Sequence, residues 1–161
     1  MKIIGYILLF FVVLIGSFPK DNLIFSLQKE LKTKNIYINF KQIEDYSFEL
    51  FLKDTNVVYN NISFMDASEL KAKIFFLYNT IEGKDIKLNF QNIILKKVNL
   101  TYTVLAPKKI LINGISNVGV IDGNINLLNN HLKIYFINLK NKDIKYFLKH
   151  DNKGYFYETY F

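Results

Sequence analysis

The chain has 161 residues and a mass of 19.0 kDa; it is 50% hydrophobic and 16% aromatic, with a formal net charge of +7. That length allows one domain with a modest core, and so apolar a composition with only two prolines excludes a disordered or collagen-like chain. The absence of cysteine excludes disulfides, thiolate metal sites, a cysteine nucleophile and a lipidated cysteine, and two histidines leave little for metal or acid-base chemistry.

In chain order, the first signal is Lys2 followed by an uncharged apolar run from Ile3 to Phe18. At 1.5 Å per residue the run reaches about 24 Å, slightly short of a ~30 Å hydrocarbon core, where anchors and signal peptides overlap. Gly5, Gly16 and Ser17 supply no pair of small residues at signal-peptidase spacing, so residues 1-18 are expected to be an uncleaved membrane anchor. Lysines on both sides of the run leave orientation undecided by charge.

Residues 19-34 read as an amphipathic helix: Pro19 suits a first helical turn, and Leu23, Ile24, Leu27 and Leu31 share a face. From Asn35 the period changes to two, and residues 35-161 read as a single antiparallel β domain. Ile36, Ile38 and Phe40 alternate, as do Tyr46, Phe48, Leu50 and Leu52. The pattern continues with Ala72, Ile74, Phe76 and Tyr78, with Ile86, Leu88 and Phe90, and with Val98, Leu100, Tyr102 and Val104. Asp66 to Lys71 can form one helical turn. Phe51, Phe75, Leu77, Ile94 and Leu111 fall out of phase with the alternation and suggest either a second apolar layer or an apolar groove.

Asp122-Gly123 is a two-residue hairpin signal that would pair Ile121 with Asn124 and Val120 with Ile125. Asn129-Asn130 would make the next turn, pairing Leu127 with Leu132 and Ile125 with Ile134. Together these place Val118, Val120, Ile125, Leu127, Leu132, Ile134 and Phe136 on one apolar surface, the candidate binding face. Beyond it, Asp143 can cap a short helix over residues 142 to 151 in which Ile144, Phe147 and Leu148 share a face, and Tyr155 to Phe161 form a final strand.

The chemistry-bearing residues form no recognisable catalytic or metal-binding set. Gly114, Gly119 and Gly123 lack phosphate-loop spacing, His131 and His150 have no ligand at metal spacing, and the carboxylate pairs Glu44 with Asp45 and Asp143 with Asp151 lack a base partner. No catalytic, cofactor or metal site is assigned, and no enzyme activity is expected. All 21 basic residues are lysine, so the bidentate arginine contacts of nucleic-acid readers are missing and nucleic acid is not an expected partner. Anionic lipid headgroups suit these lysines better.

Taken together, the apolar run into Phe18-Pro19, the helix ending near Asn35, the strands around Phe48 to Tyr59, and the segments Ile110-x-Ile112-x-Gly114 and Asp122-Gly123-x-Ile125-x-Leu127 resemble the type II secretion system protein N and AsmA-like group. The resemblance implies an inner-membrane, single-pass protein with a periplasmic β-rich part, associated with secretion machinery or envelope lipid traffic. The anchor and a β domain of this size are also similar to the lipopolysaccharide export protein C, which implies a lipid-binding β-jellyroll. The expected partners are the inner membrane and either secretion-system proteins or lipid acyl chains.

Overall fold

The computed structural model describes residues 20–160 other than 34, 76, 90–92 and 141–142. The expected anchor at residues 1-18, together with Phe76, Phe90 and Phe161, lies outside the described residues, as does the side chain of Asp143. Among the described residues, no helix is long and apolar enough to cross a membrane.

Among the described residues, helix α1 (Lys20–Lys32) precedes eleven strands: β1 (Ile36–Asn39), β2 (Gln42–Tyr46), β3 (Glu49–Tyr59), β4 (Ile62–Ile74), β5 (Tyr78–Leu88), β6 (Ile93–Thr103), β7 (Lys109–Ser116), β8 (Val120–Asn126), β9 (His131–Ile137), β10 (Lys149–Asp151) and β11 (Gly154–Tyr160). A 3-10 turn spans Asp143–Phe147. The strands build one antiparallel sheet as a consecutive meander from β3 to β9, with β11 added beside β9 and β10 at the outer edge. At the other edge β1 pairs with the second half of β3 and β2 with its first half. The expectation of a mainly β chain built on a single antiparallel sheet agrees with this architecture.

Helix α1 ends where Asn35 takes a left-handed conformation (φ 59°), with the Asn35 N–H closing on the Lys32 carbonyl. Lys29 and Lys32 in its last turn complement the helix dipole. It packs on β1 and β2, where Gln28 Nε2 donates to the edge carbonyl of Ile38 at 2.6 Å.

Several local expectations are corrected. Asp66 to Lys71 is not helical but lies within β4, and the segment Ala72 to Tyr78 is broken by a turn between β4 and β5. The expected helix over 142 to 151 is reduced to the 3-10 turn, after which the chain pairs as β10; Ile144 is buried while Phe147 is 71% exposed. Asp122-Gly123 is not a hairpin but the middle of β8, with Asp122 between Asn113 and Tyr135 and Gly123 between Ile112 and Ile134. The turn before β8 is made instead by Asn117, Val118 and Gly119, held by Ser116 Oγ, which accepts from the Val118 and Gly119 N–H groups. The turn after β8 spans four residues rather than two, so Ile125 pairs with Leu132 and Gly123 with Ile134.

Gly123 is glycine because of close strand approach. A Cβ there would lie 2.4 Å from the Lys133 carbonyl oxygen and 2.9 Å from Ile134 Cα; at Gly114 it would lie 2.6 Å from the Lys97 carbonyl oxygen. The neighbouring backbone thus occupies the side on which a side chain would stand, which means the sheet rolls toward that face. Gly123→Ala is expected to destabilise the protein by about 1–3 kcal/mol, through forced separation of β8 and β9. Urea denaturation checks this, and an unchanged midpoint would contradict the close approach.

Candidate apolar binding face

Cross-strand register decides which side chains share a face. One row crosses eight strands through Leu50, Ala72, Ile81, Leu100, Ile112, Gly123, Ile134 and Tyr157. A second, two residues along, runs through Leu52, Leu70, Gly83, Val98, Gly114, Ile121, Phe136 and Tyr155. A third contains Tyr102, Ile110, Ile125 and Leu132. At 4.8 Å per strand each full row follows a contour of about 34 Å. Leu50, Leu52, Ile112 and Ile121 on its floor are buried, and Ile81 and Tyr157 stand exposed.

Of the seven residues expected on this surface, Ile125, Leu132, Ile134 and Phe136 lie on it. Three do not. Val120 projects from the opposite face, in register with Ile115 and Ile137, and Ile121 takes its place. Val118 lies in the turn before β8 and is 2% exposed, packed with Ile93 and Ile144; Leu127 lies in the turn after β8. The error follows from the misplaced hairpin: with Asp122-Gly123 inside a strand, the parity of every residue before it reverses relative to β9.

The rows extend past a break that strict alternation does not anticipate. Asp54 and Asp85 both have positive φ (49° and 47°), and the pairing of β3, β4 and β5 skips Asp54, Ser68 and Asp85. Beyond the break the buried positions are Thr55, Ala67 and Ile86, three rather than two residues from Leu52, Leu70 and Gly83. Gly83 shows why this works: a Cβ there would meet Ile86 Cδ1 at 2.5 Å, so Ile86 fills the space its missing side chain leaves. At this end of the sheet the 3-10 turn closes the face, with Ile144 against Ile93 and Val118 and with Phe136, Leu139 and Leu148 around them.

The opposite face is largely polar and charge-paired. Lys53, Glu69 and Lys84 face one another across β3, β4 and β5, and Lys84 meets Glu69 at 2.8 Å. Glu49 is held by Lys71 at 2.9 Å, Glu158 by Lys149 at 2.7 Å and Glu44 by Lys53 at 2.7 Å. Phe51, one of the out-of-phase aromatics, lies here beneath the Lys71 ammonium. Leu111, Ile115, Val120 and Ile137 are exposed on the same side. Lys97, Asn99, Asn113 and Asp122 line an open cleft of about 420 Å³ beside them.

His131 stacks on Tyr160 and lies 3.5 Å from Glu158, while His150 meets the edge of Tyr155. The Glu44 and Asp151 carboxylates serve neighbours within the sheet: Glu44 accepts from Gln42 and Tyr46 besides Lys53, and Asp151 from Tyr135. Among the described residues no three histidine or carboxylate side chains form a group that could hold a metal ion. Comparison with protein-family models, curated proteins and solved structures finds no match.

The charge-paired face has a pH signature. Hydrogen bonds from Lys53, Lys71 and Lys149 hold Glu44, Glu49 and Glu158 below the ordinary glutamate value of 4.5, and Asn89 and Asn56 do the same for Asp66 relative to 3.8. Folded values below unfolded ones give a stabilisation that is complete above the unfolded carboxylate range and is lost as pH falls through the lowered folded values. Urea midpoints should therefore decline between about pH 6 and about pH 3, and Glu49→Gln should make the decline shallower. A midpoint independent of pH over that interval would contradict the assignment.

Proposed function

We propose that this chain is a non-catalytic envelope protein, anchored in the inner membrane by residues 1-18 with its sheet in the periplasm, and that the rolled apolar face receives lipid acyl chains. The observation that supports this is the contrast between the two faces of one sheet. Across β3 to β9 and β11, rows of Leu, Ile, Val and Phe run uninterrupted by charge on one side, and paired Lys and Glu cover much of the other. Helix α1 packs on the β1 and β2 edge and the 3-10 turn on the Ile93 and Val118 end. Neither is placed as a lid over Ile112, Ile125 and Ile134.

A secretion-apparatus adaptor would more naturally use a free sheet edge, where a partner strand can add hydrogen bonds. Both edges are poor templates. One carries α1, with Gln28 already bonded to the Ile38 carbonyl; the other is the three-residue β10 paired over Gly154 to Phe156, followed by only the four residues Tyr157 to Tyr160 of β11, among them the charged Glu158. Acyl chains need no backbone hydrogen bonds and gain from burying apolar area, so the face suits them.

Photoreactive residues substituted at Ile125 and Ile134 of the full chain in cells test the proposal, with Ile137 on the opposite face as control. Lipid adducts at the first two positions and not the third are expected. Adducts with a protein at Ile125 and Ile134 would replace the lipid reading with an adaptor role, and crosslinks confined to the chain itself would remove it.

A further inference from the structure

The two ends of the sheet differ in their turns. At one end the connections after β3, β5, β7 and β9 begin with Asn60, Asn89, Asn117 and Asn138. At the other end, the turns between β4 and β5, β6 and β7, and β8 and β9 present Phe75, Leu77, Val104, Leu105, Leu127 and Leu128 to solvent, with Leu105 88% and Leu128 69% exposed. Leaving such side chains in water is unfavourable, and six of them on successive turns at one end form a contiguous apolar rim. The asparagine end also exposes Ile62, Tyr146 and Phe147, but these stand on β4 and on the 3-10 turn rather than on a series of turns.

The leucine turns are tied to one another. The Ile74 N–H donates to the Phe48 carbonyl, the Val104 N–H to the Leu77 carbonyl and the Leu127 N–H to the Lys108 carbonyl, at 2.9, 3.1 and 2.9 Å. Phe48 and Phe75 stack with centroids 4.8 Å apart. The rim is therefore held as a unit. Residues 75–77, 104–108 and 127–130 contain no aspartate or glutamate, and the exposed Lys108 and Lys109 lie three and four residues after Leu105. Apolar side chains on these three turns, with lysines and no carboxylate among them, match the interface of an anionic bilayer, and at the β2 to β3 turn of the same end Glu49 is neutralised by Lys71.

The direction of α1 agrees. Its C-terminal end leads through Asn35, which is bonded to Asn60 at the asparagine end, and Gln28, a turn earlier, sits at Ile38, further along β1 toward the other end. Its N-terminus is thus directed toward the leucine end, and in sequence the apolar run Ile3 to Phe18 precedes it.

We infer that the leucine-end turns dock into the headgroup region of an anionic bilayer, the membrane in which the proposed anchor sits, so that the rolled face opens at the lipid surface. This rests on the proposed membrane location but not on acyl-chain binding, which Ile125 and Ile134 report separately. Because the chain lacks cysteine, single substitutions Leu105→Cys, Leu128→Cys and Asn61→Cys can each carry one polarity-sensitive fluorophore on the full chain. In phosphatidylglycerol-containing vesicles with lipid-borne quenchers, labels at 105 and 128 should shift to the blue and be quenched several-fold more than the label at 61. Equal quenching at all three positions, or none at 105 and 128, would overturn the inference. Lys108→Glu combined with Lys109→Glu should reduce the shift at 105; an unchanged shift would overturn the role of the lysines. Circular dichroism of each variant checks that the sheet is intact.

Discussion

Backbone approach at Gly114 and Gly123 is the constraint on which the shape of the sheet depends. A side chain at either position would run into the carbonyl of the adjacent strand, so only glycine lets β6, β7, β8 and β9 roll toward one face. That rolling crowds the side chains on the inner side against one another. It gives Ile112 and Ile121 an interior environment in a sheet whose second layer, among the described residues, is limited to α1 at one edge and the 3-10 turn at one end. The close approach of neighbouring strands at these two glycines lies on the apolar side of the sheet.

The left-handed residues Asp54 and Asp85 solve a second problem. A strand of eleven residues would carry strict alternation along its whole length, but a twisted and rolled sheet does not keep its side chains aimed at one trough over that distance. A left-handed residue in each of β3 and β5 resets the phase, so that Thr55 and Ile86 turn back to the buried side. Aspartate tolerates this conformation better than the β-branched residues around it. Ile86 then rests over Gly83, so the glycine and the phase reset depend on each other.

These two devices also mark where the sequence was legible. Alternation identified the strands containing Leu50 and Leu52, Val98 and Leu100, and Ile134 and Phe136, because period two is a direct consequence of the pleat. It also placed Ile125, Leu132, Ile134 and Phe136 on one face despite a register error at the β8 to β9 turn. That error was two residues, which preserves parity. The Asp122-Gly123 error was costlier. An aspartate-glycine pair is a strong local turn signal, and only the tertiary approach of Lys133 and Ile134 shows that the glycine serves the interior of a strand. Asn60 and Asn61, both left-handed, form the two-residue hairpin that the Asp122-Gly123 pair had suggested elsewhere. In a chain so rich in asparagine, that pair does not stand out. The phase resets at Asp54 and Asp85 were not legible, because nothing local distinguishes them from other polar strand residues.

The trough and the leucine turns are joined by topology. Meander connectivity puts every second turn at the same end, so the composition of alternate turns becomes the composition of one surface. The asparagine end is where Ile144 and Leu148 close the trough; at the leucine end the row of Tyr102, Ile110, Ile125 and Leu132 runs toward the turns that carry Leu105 and Leu127, where no such cluster is formed among the described residues. A groove closed at one end and apolar-lipped at the other has a defined direction of entry. For an amphiphile, the long apolar part would lie along the rows while the charged group remains near the turn that carries Lys108.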